Sequence, residues 1–255
     1  EFPQHFPADG WVEHDPNEIW AATLNSVKQV LESSAIAEHG APTAVGITDQ
    51  RETIVLWDRE TLGSARMAIV WQDRRTAGFC DQLKADGHED RVRELTGLRL
   101  DPYFSATKLS WIKKQEPNVW AGVESGRTAI GTIDSYLIAR MTRGVTHVTD
   151  ASNASRTLLF DISTGEWSQE LCDLFGVPIE ALPEVVPSYG QVGTTDPASF
   201  AGLELPIAGI AGDQQAALFG QACFEVGSSK CTYGTGSFVL VNTGDKIVRS
   251  DAGLL

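Results

Sequence analysis

Three short runs carry residue types able to do chemistry. In Gly209-Ile210-Ala211-Gly212-Asp213-Gln214-Gln215 an aspartate closes an apolar run interrupted by glycines. An Asp where a buried strand ends sits at the rim where α/β proteins bind ligands. The glycines let a ligand approach the backbone, and the carboxylate could take a proton from a substrate hydroxyl. The same Asp suits the N-cap of a following helix, and the local pattern leaves both readings open. In Tyr233-Gly234-Thr235-Gly236-Ser237 a Gly-Thr-Gly turn could offer successive backbone N–H groups to a phosphate, or could be an ordinary hairpin turn. In Gln50-Arg51-Glu52 the guanidinium and carboxylate could bind polyol hydroxyls as donor and acceptor; the alternative is a solvated pair worth ~0–1 kcal/mol. Trp71 and Tyr103 could wall a carbon chain, or belong to the core as large aromatics commonly do.

The elements that must position these runs are legible in outline. Asp15-Pro16-Asn17-Glu18 predicts a helix start, and Trp20, Leu24, Val27 and Leu31 recur on one face. Ala44 to Thr48, Thr53 to Trp57 and Ala68 to Trp71 read as strands, with a turn from Asp58 to Gly63. Two adjacent apolar strands joined by a short loop suggest a hairpin, so the sheet is not purely parallel. Shorter helices are expected over 91–96, 107–115, 132–141 and 168–175, the second stopping before Pro117 and the last at Gly176. The stretch from Pro178 to Pro206 is rich in proline and reads mostly as loop. A strand over 206–211 then leads into a helix from Gln214 to Gly220, and Lys230 to Asn242 reads as strand, turn, strand. Strands interleaved with helices predict an α/β class.

Composition narrows the function classes. The chain has 255 residues and a formal net charge of −14, from 34 acids against 20 bases. That balance argues against nucleic acid as a partner, since such proteins carry a basic face. No apolar run of 18 residues is present to span a membrane, and no signal peptide is read. Cys80, Cys172, Cys223 and Cys231 form no CxxC pair, so a reduced, cytoplasmic compartment is expected.

In context, the runs resemble the glycerol kinases of the FGGY carbohydrate-kinase family. The blocks are Gly46-Ile47-Thr48-Asp49-Gln50-Arg51-Glu52-Thr53, then Ile69-Val70-Trp71-Gln72-Asp73-Arg74-Arg75. Asp101-Pro102-Tyr103-Phe104-Ser105-Ala106-Thr107-Lys108 with Trp111 follows, giving the Tyr-x-Ser-x-x-Lys-x-x-Trp spacing of the first FGGY signature. Thr149 to Thr157, Gly212 to Gln221 and Tyr233-Gly234-Thr235-Gly236 complete the set in family order.

The resemblance implies an actin-like, ribonuclease-H-like α/β ATPase fold, with the first domain over 1–221 and the start of a second over 222–255. It implies ATP-dependent phosphorylation of glycerol to sn-glycerol 3-phosphate, with MgATP as the nucleotide and a homo-oligomeric full-length enzyme. Asp213 then matches the catalytic carboxylate. Arg51, Glu52 and Tyr103 match residues that bind glycerol hydroxyls, Trp71 and Phe238 match the apolar side, and Gln214 lies beside the substrate. Thr235, with Gly234 and Gly236, matches a nucleotide-phosphate contact. No metal ligand is assigned. A kinase for a larger sugar and a non-catalytic, actin-like interaction module are the other readings.

The chain starts at Glu1 without an initiator Met and stops at Leu255 after a strand and turn, so it is expected to be a fragment. By resemblance, the family's Asp-x-Gly-Thr-Thr phosphate loop and most of its second domain lie outside these residues. Some bacterial glycerol kinases hold fructose 1,6-bisphosphate at a loop ending in arginine. Glu204 stands at that position here, so insensitivity is expected.

Overall fold

In the computed structural model, which describes residues 1–234, 236–250 and 254–255, the Val55–Asp58 strand lies between two apolar cores. Its side chains alternate, as those of a strand must: Ile54 and Leu56 enter one core, Val55 and Trp57 the other. The Thr128–Gly131 strand pairs with it antiparallel, and Ile130 and Ala129 obey the same division. The first core takes Leu109, Ile112, Trp120, Leu171 and Phe175 from the helices Ser105–Gln115, Pro117–Glu124 and Gln169–Phe175. The second takes Ile19, Trp20, Tyr136 and Ile138 from the helices Pro16–Leu31 and Ile133–Met141. Helices therefore cover both faces of the strand layer, which is the expected α/β arrangement.

A second sheet carries the candidate site. Val45–Asp49 pairs parallel with Pro206–Gly212, which pairs antiparallel with Tyr189–Thr194, so this sheet is mixed, through strands other than the expected hairpin. Gly212 stands opposite Asp49 in the parallel register. Parallel partners end at the same rim, so Gln50-Arg51-Glu52 and Asp213 leave the sheet side by side. The sequence predicts the two parallel strands but neither Tyr189–Thr194 nor this pairing.

Several local readings hold. Asp15 accepts the Asn17 backbone N–H at 2.8 Å, with Pro16 at the first helical position. Gly97 and Gly176 end their helices with left-handed backbone, at φ 72° and 69°. One expectation changes and two are extended. The early hairpin is reduced to one antiparallel bridge, Ile54 with Ile69, because Val55–Asp58 takes Thr128–Gly131 as its ladder partner. The helix expected to stop before Pro117 does so, but another starts at Pro117, where a missing N–H costs nothing. The stretch 178–206 contains two strands, Glu184–Val186 and Tyr189–Thr194, paired with Val148–Asp150 and Pro206–Gly212. Pro183 and Pro187 flank these strands and leave their ladder N–H groups intact.

Candidate functional site

Asp213 is the first residue of the Asp213–Gly220 helix rather than its cap; Gly212 holds the N-cap position and no side chain caps it. The carboxylate is half-exposed, 48% of its side chain open to solvent. Its Oδ1 lies 3.3 Å from Arg51 Nε, and its Oδ2 accepts from Gln214 Nε2 at 3.1 Å. The capping alternative therefore gives way to a carboxylate facing outward between two donors.

Arg51 and Glu52 are not a solvated pair: their side chains are 5% and 2% exposed. Arg51 Nη1 donates to Gln215 Oε1 at 3.3 Å. Its Nε, although close to Asp213, is a buried donor with no aligned hydrogen-bond acceptor among the described residues. Gly212 makes room for this side chain, since a Cβ there would stand 2.5 Å from Arg51 Cδ.

Glu52 is held from three directions. Arg156 Nε donates to its Oε1 at 2.6 Å, Arg51 Nε stands 4.0 Å from the same oxygen, and Ser105 Oγ donates to its carbonyl at 3.1 Å. Its backbone lies at φ 63°, with the Thr53 N–H reaching the Arg51 carbonyl at 2.8 Å. A tight turn of that length around a positive-φ residue is rare and strained.

The aromatics meet beside this array. Trp71 and Tyr103 pack edge to face with ring centroids 5.6 Å apart. The Arg156 guanidinium lies 5.4 Å from the Tyr103 ring and 4.9 Å from that of Phe104. Burial, and then the Glu52 charge, raise the Tyr103 hydroxyl's pKa, so it keeps its proton and remains a donor. Fully buried Lys108 pins the turn from below, donating to the Tyr103 carbonyl at 2.6 Å and the Phe104 carbonyl at 3.1 Å. Desolvation lowers its pKa to about 8.

The hairpin of Ser229–Tyr233 and Ser237–Val241 contributes less directly. Thr235 lies outside the described residues. The Gly234 N–H is spent on the Gly236 carbonyl at 3.0 Å. Phe238 shares no ring contact with Trp71 or Tyr103 among the described residues; a Cβ on Gly236 would meet its ring at 2.8 Å.

Beneath the rim lies a buried acidic layer that local patterns do not reveal. Asp49, Asp134 and Asp150 are all buried. Asn153 Nδ2 bridges Asp49 at 3.1 Å and Asp150 at 3.0 Å, and Ser152 Oγ, bonded to Asp150, accepts the Gly212 N–H at 2.7 Å. Burial raises Asp134 to about 6. Burial, and then the Asp134 charge, raise Asp49 well above the ordinary carboxylate range. Among the described residues, no group of three or more His, Cys, Asp or Glu is arranged to hold a metal ion.

The geometry thus joins Arg51, Glu52, Trp71, Tyr103, Asp213 and Gln214 at one rim and adds Arg156 and Lys108. Residues 1–220 match the N-terminal domain of the FGGY family of carbohydrate kinases. The chain belongs to that family. Among relatives of this FGGY chain, the glycerol kinase of Methylobacterium nodulans is 55% identical over 255 residues, covering 100% of the chain and 50% of the relative. That of Alcanivorax borkumensis is 55% identical over 247 residues, 97% of the chain and 49% of the relative. The chain spans about half the length of the curated relatives it matches. The crystal structure of Plasmodium falciparum glycerol kinase with ADP superposes with a TM-score of 0.94 at 36% identity, covering 100% of this chain and 51% of that one. Xylulose kinase from Rhodospirillum rubrum gives 0.84 at 22% identity over 94% of the chain and 48% of its own, a likeness of fold alone. The FGGY chain has the actin-like ATPase fold that its sequence implies.

Proposed function

We propose that the protein carrying this domain transfers the γ-phosphoryl group of ATP to a terminal hydroxyl of glycerol, giving sn-glycerol 3-phosphate and ADP. The observation that carries the reading is the array at the rim: a half-exposed carboxylate beside a buried guanidinium whose Nε has no aligned acceptor among the described residues. A buried donor left unmatched is costly, and with Asp213 at 3.3 Å the guanidinium is able to re-aim its N–H groups toward a ligand hydroxyl bound beside that carboxylate. Glu52 offers an acceptor, the Tyr103 hydroxyl a second donor, and the Trp71–Tyr103 pair an apolar wall. Three hydroxyls and one carbon face are what glycerol presents.

Asp213 is the proposed base. It accepts the hydroxyl proton as the oxygen attacks phosphorus, while Arg51 and Gln214 hold the two carboxylate oxygens. Phosphoryl transfer depends mainly on such positioning and on neutralising charge. MgATP enters as co-substrate. Asp213 alone among the candidate residues offers Mg²⁺ an accessible carboxylate, which fits an ion that takes one or two carboxylates plus phosphate oxygens. The glycine-rich turn at Gly234 and Gly236 is proposed to approach the phosphates, with the first domain ending near Gln221. The end of the family match at residue 220 supports that boundary.

The test is a substrate panel on the full-length protein, following ADP release with glycerol, xylulose, gluconate and erythritol. Glycerol should give the highest kcat/KM. Preference for a pentulose or an acid sugar would replace this reading with that of a larger-substrate FGGY kinase.

A further inference from the structure

Lys230 lies on the Ser229–Tyr233 strand, outside the rim, yet it is 3% exposed and its ammonium points at the site. Its Nζ donates to Gln214 Oε1 and, at 2.7 Å, to Thr232 Oγ1. Gln214 is itself buried, and its Nε2 donates to Asp213 Oδ2 at 3.1 Å. The three side chains form one directed relay from hairpin to carboxylate.

Resting on the glycerol-kinase reading, we infer that Lys230 is a positioning residue for Asp213, acting through the Gln214 amide. An ammonium has only donors, whereas a carboxamide has a donor end and an acceptor end of nearly the same shape. Lys230 can bind only the oxygen of Gln214, so the NH₂ is left facing Asp213. Remove the ammonium and the amide is free to turn its oxygen toward the carboxylate, replacing attraction by repulsion. Desolvation works against the Lys230 charge and the Asp213 charge works for it, which is the coupling a relay requires. Because Lys230 sits on the hairpin and Gln214 on the Asp213–Gly220 helix, the seating of the hairpin on that helix is transmitted to the base.

The experiment measures glycerol-dependent ADP release by the full-length protein across pH, for wild type, Lys230→Met, Lys230→Arg, Gln214→Met and the Lys230→Met/Gln214→Met double variant. Lys230→Met should lower kcat roughly 10- to 100-fold, the loss of about one charge-assisted hydrogen bond, with glycerol KM changed far less. Its acidic limb should move to higher pH, since a carboxylate that loses a donor binds its proton more tightly. Lys230→Arg should recover part of kcat. In the Gln214→Met background, Lys230→Met should cost nothing more, because the relay is already cut. If Lys230→Met yields no folded protein, Gln214→Glu carries the test: it accepts from Lys230 but cannot donate to Asp213, and it should show the same fall in kcat. An unshifted acidic limb, additive losses in the double variant, or a Gln214→Glu enzyme with wild-type kcat would overturn the relay. A wild-type protein inactive on glycerol would instead overturn the reading of function, and the relay's role in glycerol phosphorylation with it.

Discussion

Arg156 Nε donates to Glu52 Oε1 at 2.6 Å while its guanidinium packs against the rings of Tyr103 and Phe104. One cation thus fixes both the acceptor and one aromatic wall of the candidate pocket. Arg156→Ala should cost about 3 kcal/mol in stability. This is the lower end for breaking a buried pair, because Arg51 still stands 4.0 Å from Glu52. Glycerol KM should rise as Glu52 and Tyr103 loosen. Arg156→Lys should recover the charge but not the planar contact. Chemical denaturation and steady-state kinetics on the full-length protein check both; an unchanged KM with lost stability would make Arg156 purely structural.

Asp213→Asn keeps shape and removes the base. In the full-length protein kcat should fall by on the order of 10²–10⁴, with glycerol affinity less affected and melting temperature nearly unchanged, since half the side chain is in solvent. Turnover close to wild type would remove Asp213 from the mechanism.

Gly212→Ala should act on substrate binding without touching a hydrogen-bonding group. The new Cβ would lie 2.5 Å from Arg51 Cδ and 2.6 Å from Cγ, so the guanidinium must shift. Glycerol binding should weaken by about 1–3 kcal/mol, comparable to Arg51→Ala, and the double variant should lose little beyond either single one. Calorimetric titration of glycerol reads this directly.

The buried acidic layer predicts a pH signature in stability. Asp134 titrates at about 6 in the folded chain against 3.8 for a free side chain. Between those values it is protonated when folded and ionised when unfolded, so its contribution is present below about pH 4 and lost as pH rises through about 6. Thr132 and Thr149, which bond its two oxygens, can each turn a hydroxyl to meet an amide. Asp134→Asn should therefore gain on wild type by on the order of 1–3 kcal/mol between pH 4 and pH 7. Comparing the two proteins cancels groups remote from Asp134, such as His147, which burial holds down to about 4. Asp49, which the Asp134 charge raises, moves back down when that charge is lost and adds to the gain. Parallel urea-midpoint curves across that range would remove the assignment.

Much of this was legible in the sequence, and the gaps share a cause. Helix starts and stops follow from local chemistry, as at Asp15-Pro16 and Gly176. Arg51, Glu52 and Asp213 stand out because polar residues follow apolar runs. What local chemistry leaves open is which strand lies beside which: the Gly212–Asp49 register that joins the runs is a long-range packing result. Tyr189–Thr194 leaves no local pattern because an exposed edge strand is defined by backbone pairing rather than an apolar face. Lys108 stands in the Tyr-x-Ser-x-x-Lys-x-x-Trp spacing and Arg156 in the Thr149 to Thr157 block, but neither role, nor that of Lys230, can be read there, since each gains its meaning from a partner distant in the chain or from carbonyls beneath a turn.

Glu52 sits at φ 63°, where a side chain other than glycine's is disfavoured. Replacing it with glycine would relax the backbone but leave the largely buried Arg156 guanidinium without its carboxylate, and breaking a buried pair costs more than the strain returns. A selection for heat resistance would therefore keep this carboxylate for its ion pair, and a selection for turnover would keep it as a proposed substrate acceptor. Libraries built to toughen this protein should hold residue 52 fixed, because durability and turnover both depend on it despite its strained backbone.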